Sequence, residues 1–167
     1  MPDDLPVDVL TELGRVVWAA IKLEHYAESL CSLIEPANPG TDKRPVSHKI
    51  RDAKRVLASW PSSAVRDNTV AWLERASYAI EQRNAALHAM PLIQLGRPPA
   101  TEDRLFLGEM PRANRPYNER PLTVESLSAL RSVLENAFSG CVDIALAAGA
   151  ESQLHRSHSQ TTVWLTE

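Results

Sequence analysis

The chain has only two cysteines in 167 residues, Cys31 and Cys141, too few for a disulfide framework and without metal-ligand spacing. That scarcity points to a reducing cytoplasm and to no zinc site or other metal. Long apolar runs are also lacking. The longest nearly uncharged one, Val16 to Ile21, is closed off by Lys22 and Glu24, far short of the ~20 residues that span a bilayer. The amino terminus, Met1-Pro2-Asp3-Asp4, is acidic where a signal or transit peptide would be basic. A soluble cytoplasmic protein without a membrane partner is expected. Ser139-Gly140-Cys141 lacks the surroundings of a nucleophile elbow, and no glycine-rich phosphate loop, internal repeat or low-complexity segment occurs. No cofactor is expected.

Apolar residues make up 44% and charged residues 23% of the chain, enough for one sizeable core and a single domain rather than a disordered polymer. The net charge of −3 is unevenly spread. Residues 1 to 41 carry two basic against seven acidic side chains, whereas residues 42 to 55 carry six basic against two acidic. The basic strip comprises Lys43, Arg44, Lys49, Arg51, Lys54 and Arg55. Such a strip attracts phosphates, and it also fits a solvated helix face.

Apolar periodicity predicts a long first helix over Leu5 to Ile34, with Val9, Leu10, Leu13, Val16, Val17, Ala20, Ile21, Leu23, Ala27, Leu30 and Leu33/Ile34 inward. A second helix is predicted over Val46 to Ser59, stopped by Trp60-Pro61, and a third from about Ala64 to Ala89, capped by Ser62 or Ser63. Residues 91 to 121 hold six prolines and form an excursion in which Arg104 to Leu107 and a turn at Asn114 to Tyr117 make a small hairpin. Thr123 caps a fourth helix ending at Gly149, with Leu127, Leu130, Val133/Leu134, Ala137/Phe138, Val142 and Leu146 inward. The expected fold is all-α: an up-and-down four-helix bundle over residues 1 to 150, with the 91–121 insertion between helices three and four. A polar tail, 151–167, is expected to be loose or to add an edge strand.

The most informative segment closes the third helix: Arg83-Asn84-Ala85-Ala86-Leu87-His88. At 100° per residue, Thr69, Leu73, Ala76, Ile80 and Leu87 form an apolar stripe, with Arg83 roughly 40° to one side and Asn84 and His88 roughly 60° and 100° to the other. Polar groups bordering a buried surface need partners, and Glu24 and Glu28 of the first helix are candidates for Arg83. His88 lies in the last turn before Pro91, where the helix dipole favours the imidazolium and brings its pKa toward the range of an acid or base. His25 reads as a packed or surface histidine. His155 and His158 lack ligand partners, and Trp18, Trp60, Trp72 and Trp164 read as core or interface anchors.

Arg83, Asn84 and His88 together resemble the arginine, four to six residues, histidine signature of the HEPN family, in which a polar residue, commonly asparagine, follows the arginine near the end of a long bundle helix. The resemblance implies a metal-independent endoribonuclease acting as a homodimer, with two motifs facing each other across the dyad, in a defence, toxin–antitoxin or RNA-processing role. It implies that His88 transfers protons, Arg83 stabilises phosphorane charge and Asn84 orients His88 or the scissile phosphate. Arg83 and His88 lie ~140° apart on an ideal helix, so a second chain is needed for both to reach one phosphate. The strip Lys43 to Arg55 would hold RNA backbone. Arg97, Arg104, Arg112, Arg115 and Arg120 of the excursion are further phosphate candidates, nearly cancelled by Glu102, Asp103, Glu109 and Glu119. The other reading is a non-catalytic module that binds a nucleotide, RNA, or an antitoxin or other regulatory protein.

Overall fold

A computed structural model describes residues 6–35, 43–87, 90–92, 106–108 and 119–163. The chain is mostly helical. The elements in order are α1 (Val7–Ile34), α2 (Val46–Ala58), α3 (Ala64–Leu87), β1 (Met90–Leu92), β2 (Phe106–Gly108), β3 (Glu119–Pro121), α4 (Val124–Phe138) and α5 (Cys141–Val163). They divide into two compact units. The first contains residues 1–21 and 79–136, and the second residues 22–78 and 137–167.

In the first unit, Val9, Val16, Ala19 and Ala20 of α1, Ala79 and Ile80 of α3, and Leu122, Leu127 and Leu134 on and before α4 are buried. Their spacing follows the helical period. A reciprocal capping box starts α4: the Ser126 amide donates to Thr123 Oγ1 (3.1 Å) and the Thr123 amide donates to Ser126 Oγ (3.0 Å). The three short strands form one antiparallel sheet in the order β1-β2-β3, with Pro91 opposite Leu107 and Phe106 opposite Pro121. Both prolines fall on edge strands, the only places where a missing amide donor is tolerated. Of the expected strand at 104–107, the described residues Phe106 and Leu107 lie in β2. Arg104 and Leu105, the turn at Asn114 to Tyr117, and Arg97, Arg112 and Arg115 with Glu102, Asp103 and Glu109 lie outside the described residues, whereas Glu119 and Arg120 belong to β3.

The second unit packs around Leu23, Ala27, Leu30, Ile34, Ile50, Ala53, Leu57, Trp60, Trp72, Leu73 and Ala76, all buried. Ser63 caps α3, accepting from the Arg66 amide (3.0 Å) while its hydroxyl donates to Glu151 Oε1 of α5 (2.6 Å). The buried Ser152 hydroxyl donates to the Leu33 carbonyl at 3.0 Å, and a side chain at Gly149 would meet Leu33 Cδ1 at 3.8 Å. The end of α5 therefore seats on the end of α1. Trp60 stacks on His155, ring centroids 4.9 Å apart, and Tyr26 meets Phe138 edge to face at 5.0 Å.

Several expectations need correction. Among the described residues there are five helices, because Ser139-Gly140 ends α4 with Gly140 in the left-handed region (φ 73°) and the chain restarts as α5. Gly149 is not a stop, and the expected loose tail is helical to Val163. The break changes the helical phase, so Cys141 and Ala148 are buried while Val142 and Leu146 are exposed. On α1, Leu10, Val17 and Ile21 also face outward, as does Trp18, which of its two expected roles, core or interface anchor, does not fill the first. The longest apolar stretch is not Val16 to Ile21. Val124 to His155 is long and apolar enough by composition to cross a membrane, with 22% of its most apolar window buried.

Two outcomes follow from this packing. Burial pushes the Cys31 thiol up to about 12 and also raises Cys141, so neither should react with iodoacetamide in the folded chain at pH 8. Alkylation should begin only with denaturant, and fast modification of the native protein would contradict the packing. Second, Arg131 and Arg15 hold Glu12 below the usual carboxyl value of 4.5. The ionised form is thus favoured by folding. Its contribution is full above pH 4.5 and lost as the pH falls through the lower folded value. Glu12→Gln should lower the melting temperature at pH 7 and remove that part of the acid-induced loss of stability, as read by thermal unfolding across pH.

Candidate functional site

The motif segment belongs to the first unit, in the last turns of α3. Upstream, Trp72, Leu73, Ala76, Ala79 and Ile80 are buried, together with Thr69, whose hydroxyl is satisfied by the Val65 carbonyl at 2.7 Å. From Gln82 to Ala86 the helix is half-buried. This is the border between core and solvent that the helical phase predicts for Arg83 and Asn84. Burial lowers the Arg83 pKa from its ordinary value, the mark of a guanidinium partly removed from water. Asn84 follows on the same turn, also half-buried. His88 lies one residue past the end of α3, outside the described residues, and β1 begins two residues later.

The same unit contains an ionic cluster that sequence reasoning missed. The Glu12 side chain is 5% exposed. It accepts from Arg131 Nε at 2.6 Å and from Arg15 at 3.1 Å. Arg131 also donates to both carboxylate oxygens of Glu135, at 3.0 and 3.3 Å. These bonds and charges raise the Arg131 pKa as they lower that of Glu12. The signal was present in the sequence: Glu12 occupies a core position in the series Val9, Glu12, Val16, Ala19/Ala20, Leu23. A charge there requires an opposite charge from another element.

The basic strip belongs to the second unit, and five of its six basic side chains form ion pairs. Arg44, Arg51 and Arg55 converge on Asp52, Lys49 is paired with Glu28, and Lys54 reaches Glu74 at 2.7 Å. Lys43 is exposed at the start of the strip. Glu28, a candidate partner of Arg83, is thus engaged by Lys49. Arg83 and Asn84 are successive half-buried residues at the end of α3, and three arginines of the strip gather around Asp52, the two groups belonging to different units.

The remaining candidates have local explanations. His25 is exposed and meets Tyr26 edge to face at 5.9 Å. His155 lies 3.7 Å from Glu151 and against Trp60. Of the tryptophans, Trp60 and Trp72 are buried, and Trp164 lies outside the described residues. Among the described residues no group of three or more histidine, cysteine or acidic side chains is placed to hold a metal ion. Chemically, this end of the first unit offers a partly desolvated cation and an amide at the end of a helix, an arrangement suited to an anion. No family model, curated protein or solved structure matches the chain.

Proposed function

We propose that the protein is a metal-independent endoribonuclease of HEPN type, acting as a cytoplasmic homodimer. The observation that carries the reading is the half-buried Arg83, with its lowered pKa, beside Asn84 in the last turns of a long helix and five residues before His88. The bundle arrangement with a proline-rich insertion belongs to the same proposal, as does a defence, toxin–antitoxin or RNA-processing setting.

In this reading His88 takes the proton from a ribose 2′-hydroxyl as the oxygen attacks the adjacent phosphorus. Arg83 stabilises the phosphorane charge, which a partly desolvated guanidinium does more strongly than one in bulk water. The bond to the 5′-oxygen breaks, and a protonated His88 of the second copy gives that oxygen its proton. The products are a 2′,3′-cyclic phosphate and a 5′-hydroxyl. Asn84 orients His88 or the phosphate by hydrogen bonding. Lys43, Arg44, Lys49, Arg51, Lys54 and Arg55 complete the proposed RNA contacts.

The ion pairing of that strip favours a second reading, a non-catalytic module that binds a nucleotide, RNA or a regulatory protein such as an antitoxin. A protein of net charge −3 whose basic residues already face Asp52, Glu28 and Glu74 has less to offer a phosphate backbone.

Cleavage of a labelled RNA should persist in excess chelator and fall by about 100-fold or more in Arg83→Ala and in His88→Ala. Far-UV circular dichroism should be unchanged in both variants. Cleavage retained by both overturns the nuclease reading, and RNA binding without cleavage in the unaltered protein favours the module.

A further inference from the structure

One face of α1 is apolar and uncovered. Val7 is 80% exposed, Leu10 47%, Val17 37%, Trp18 62% and Ile21 51%, with exposed Gly14 at the centre. At 100° per residue these six positions fall within an arc of about 100° and run about 21 Å along the helix. Their spacing is symmetric about Gly14. Val7 and Ile21 are each seven residues away, Leu10 and Trp18 four, and Thr11 and Val17 three.

Gly14 is itself unexplained by the fold of one chain. Glycine weakens a helix interior relative to alanine, yet a side chain here would meet nothing within 4 Å. The lack of a side chain is useful only if something outside the chain approaches the helix backbone at that point.

We propose that this face docks on the same face of a second copy, with the two α1 helices antiparallel and the two-fold axis at Gly14. Val7 then opposes Ile21 of the second copy, Leu10 opposes Trp18, and the two glycines let the backbones meet. The flanking charges fit. Asp8 and Lys22 lie on one edge of the stripe, and antiparallel pairing puts each Asp8 within about 3 Å along the axis of Lys22 from the other copy. Arg15, which faces the axis on that edge, is neutralised by Glu12 of its own helix at 3.1 Å. The uncovered apolar surface is about 500 Å² per copy, about 1,000 Å² in all, the lower bound for a specific interface. The proposal is argued from α1 alone; that the same pair is the homodimer of the proposed function rests on that reading.

The test uses the full chain. Light scattering should give twice the 18.5 kDa monomer mass. Trp18→Glu and Leu10→Glu should each weaken association by about thirty-fold or more, with unchanged circular dichroism because both side chains are already exposed. Gly14→Leu should weaken association as well, its side chain holding the two backbones apart. Under mild oxidation Val7→Cys alone should not form a covalent dimer, its two copies lying about 21 Å apart, while a mixture of Val7→Cys and Ile21→Cys should cross-link. A monomeric unaltered protein, as when a segment of the same chain covers the stripe, overturns the proposal. So does a dimer that Trp18→Glu leaves intact, or efficient cross-linking of Val7→Cys by itself. Arg83→Ala is assayed on the same preparations: undiminished RNA cleavage with an intact dimer removes the nuclease reading and upholds the interface.

Discussion

In the core stripe of α1, between Val9 and Val16, stands a carboxylate, and the first unit is arranged around satisfying it. Removing an ionised group from water is costly unless an opposite charge and hydrogen bonds replace the lost hydration. Glu12 receives them from Arg131, 119 positions along the chain, and from Arg15, one turn away on its own helix. Arg131 is in turn held by Glu135. A hydrophobic contact tolerates sliding by a turn, but a guanidinium 2.6 Å from a buried carboxylate does not. The pair therefore fixes which turn of α4 faces which turn of α1, and leaves the Val7, Leu10, Trp18 and Ile21 side of α1 facing out.

Charge behaves differently in the second unit. Counted along the sequence, residues 42 to 55 are strongly basic. In space, Lys49 and Lys54 meet acids 21 and 20 residues away, and Asp52 gathers three arginines. Several of these pairs are exposed and contribute little to stability, but they reduce the field that a distant phosphate would experience. Arg83, at the end of α3, differs in that desolvation lowers its pKa, as expected for a half-buried guanidinium.

Local rules made the helix starts legible. Ser63 and Thr123 cap where their hydroxyls and positions required, and α2 buries Ile50, Ala53 and Leu57 as its period demanded. The end of α4 was also encoded, since Ser139-Gly140 is an ordinary left-handed stop, but the apolar residues on both sides disguised it as one continuous helix. Once the phase was carried across that turn, Val142 and Leu146 were assigned to the wrong face. The polarity of residues 151 to 163 concealed a helix whose anchors are few and specific: Ser152 on the Leu33 carbonyl and His155 on Trp60. Such contacts are set by partners more than a hundred or about ninety residues distant, which no local window contains. At the site, the border position of Arg83 was readable from the phase of α3 alone. The pairing of Glu28 with Lys49 instead of Arg83 was not, because it depends on which face of α2 meets α1.

Apolar residues on α1 occupy more of the helix circumference than one core can cover, so periodicity alone merges two faces into one. The structure separates them: Val9, Val16, Ala20 and Leu23 point inward, and Leu10, Val17, Trp18 and Ile21 point outward. A helix with two apolar faces covers one with the core and leaves the other, with its tryptophan, exposed. The chemistry proposed for the end of α3 also calls for two chains, because Arg83 and His88 diverge by ~140° on one helix. These requirements arise from different residues, one from buried area and the other from the geometry of a phosphate. In the proposed two-fold pairing of α1, Gly14, costly in a solitary helix, would be the residue that allows two backbones to meet.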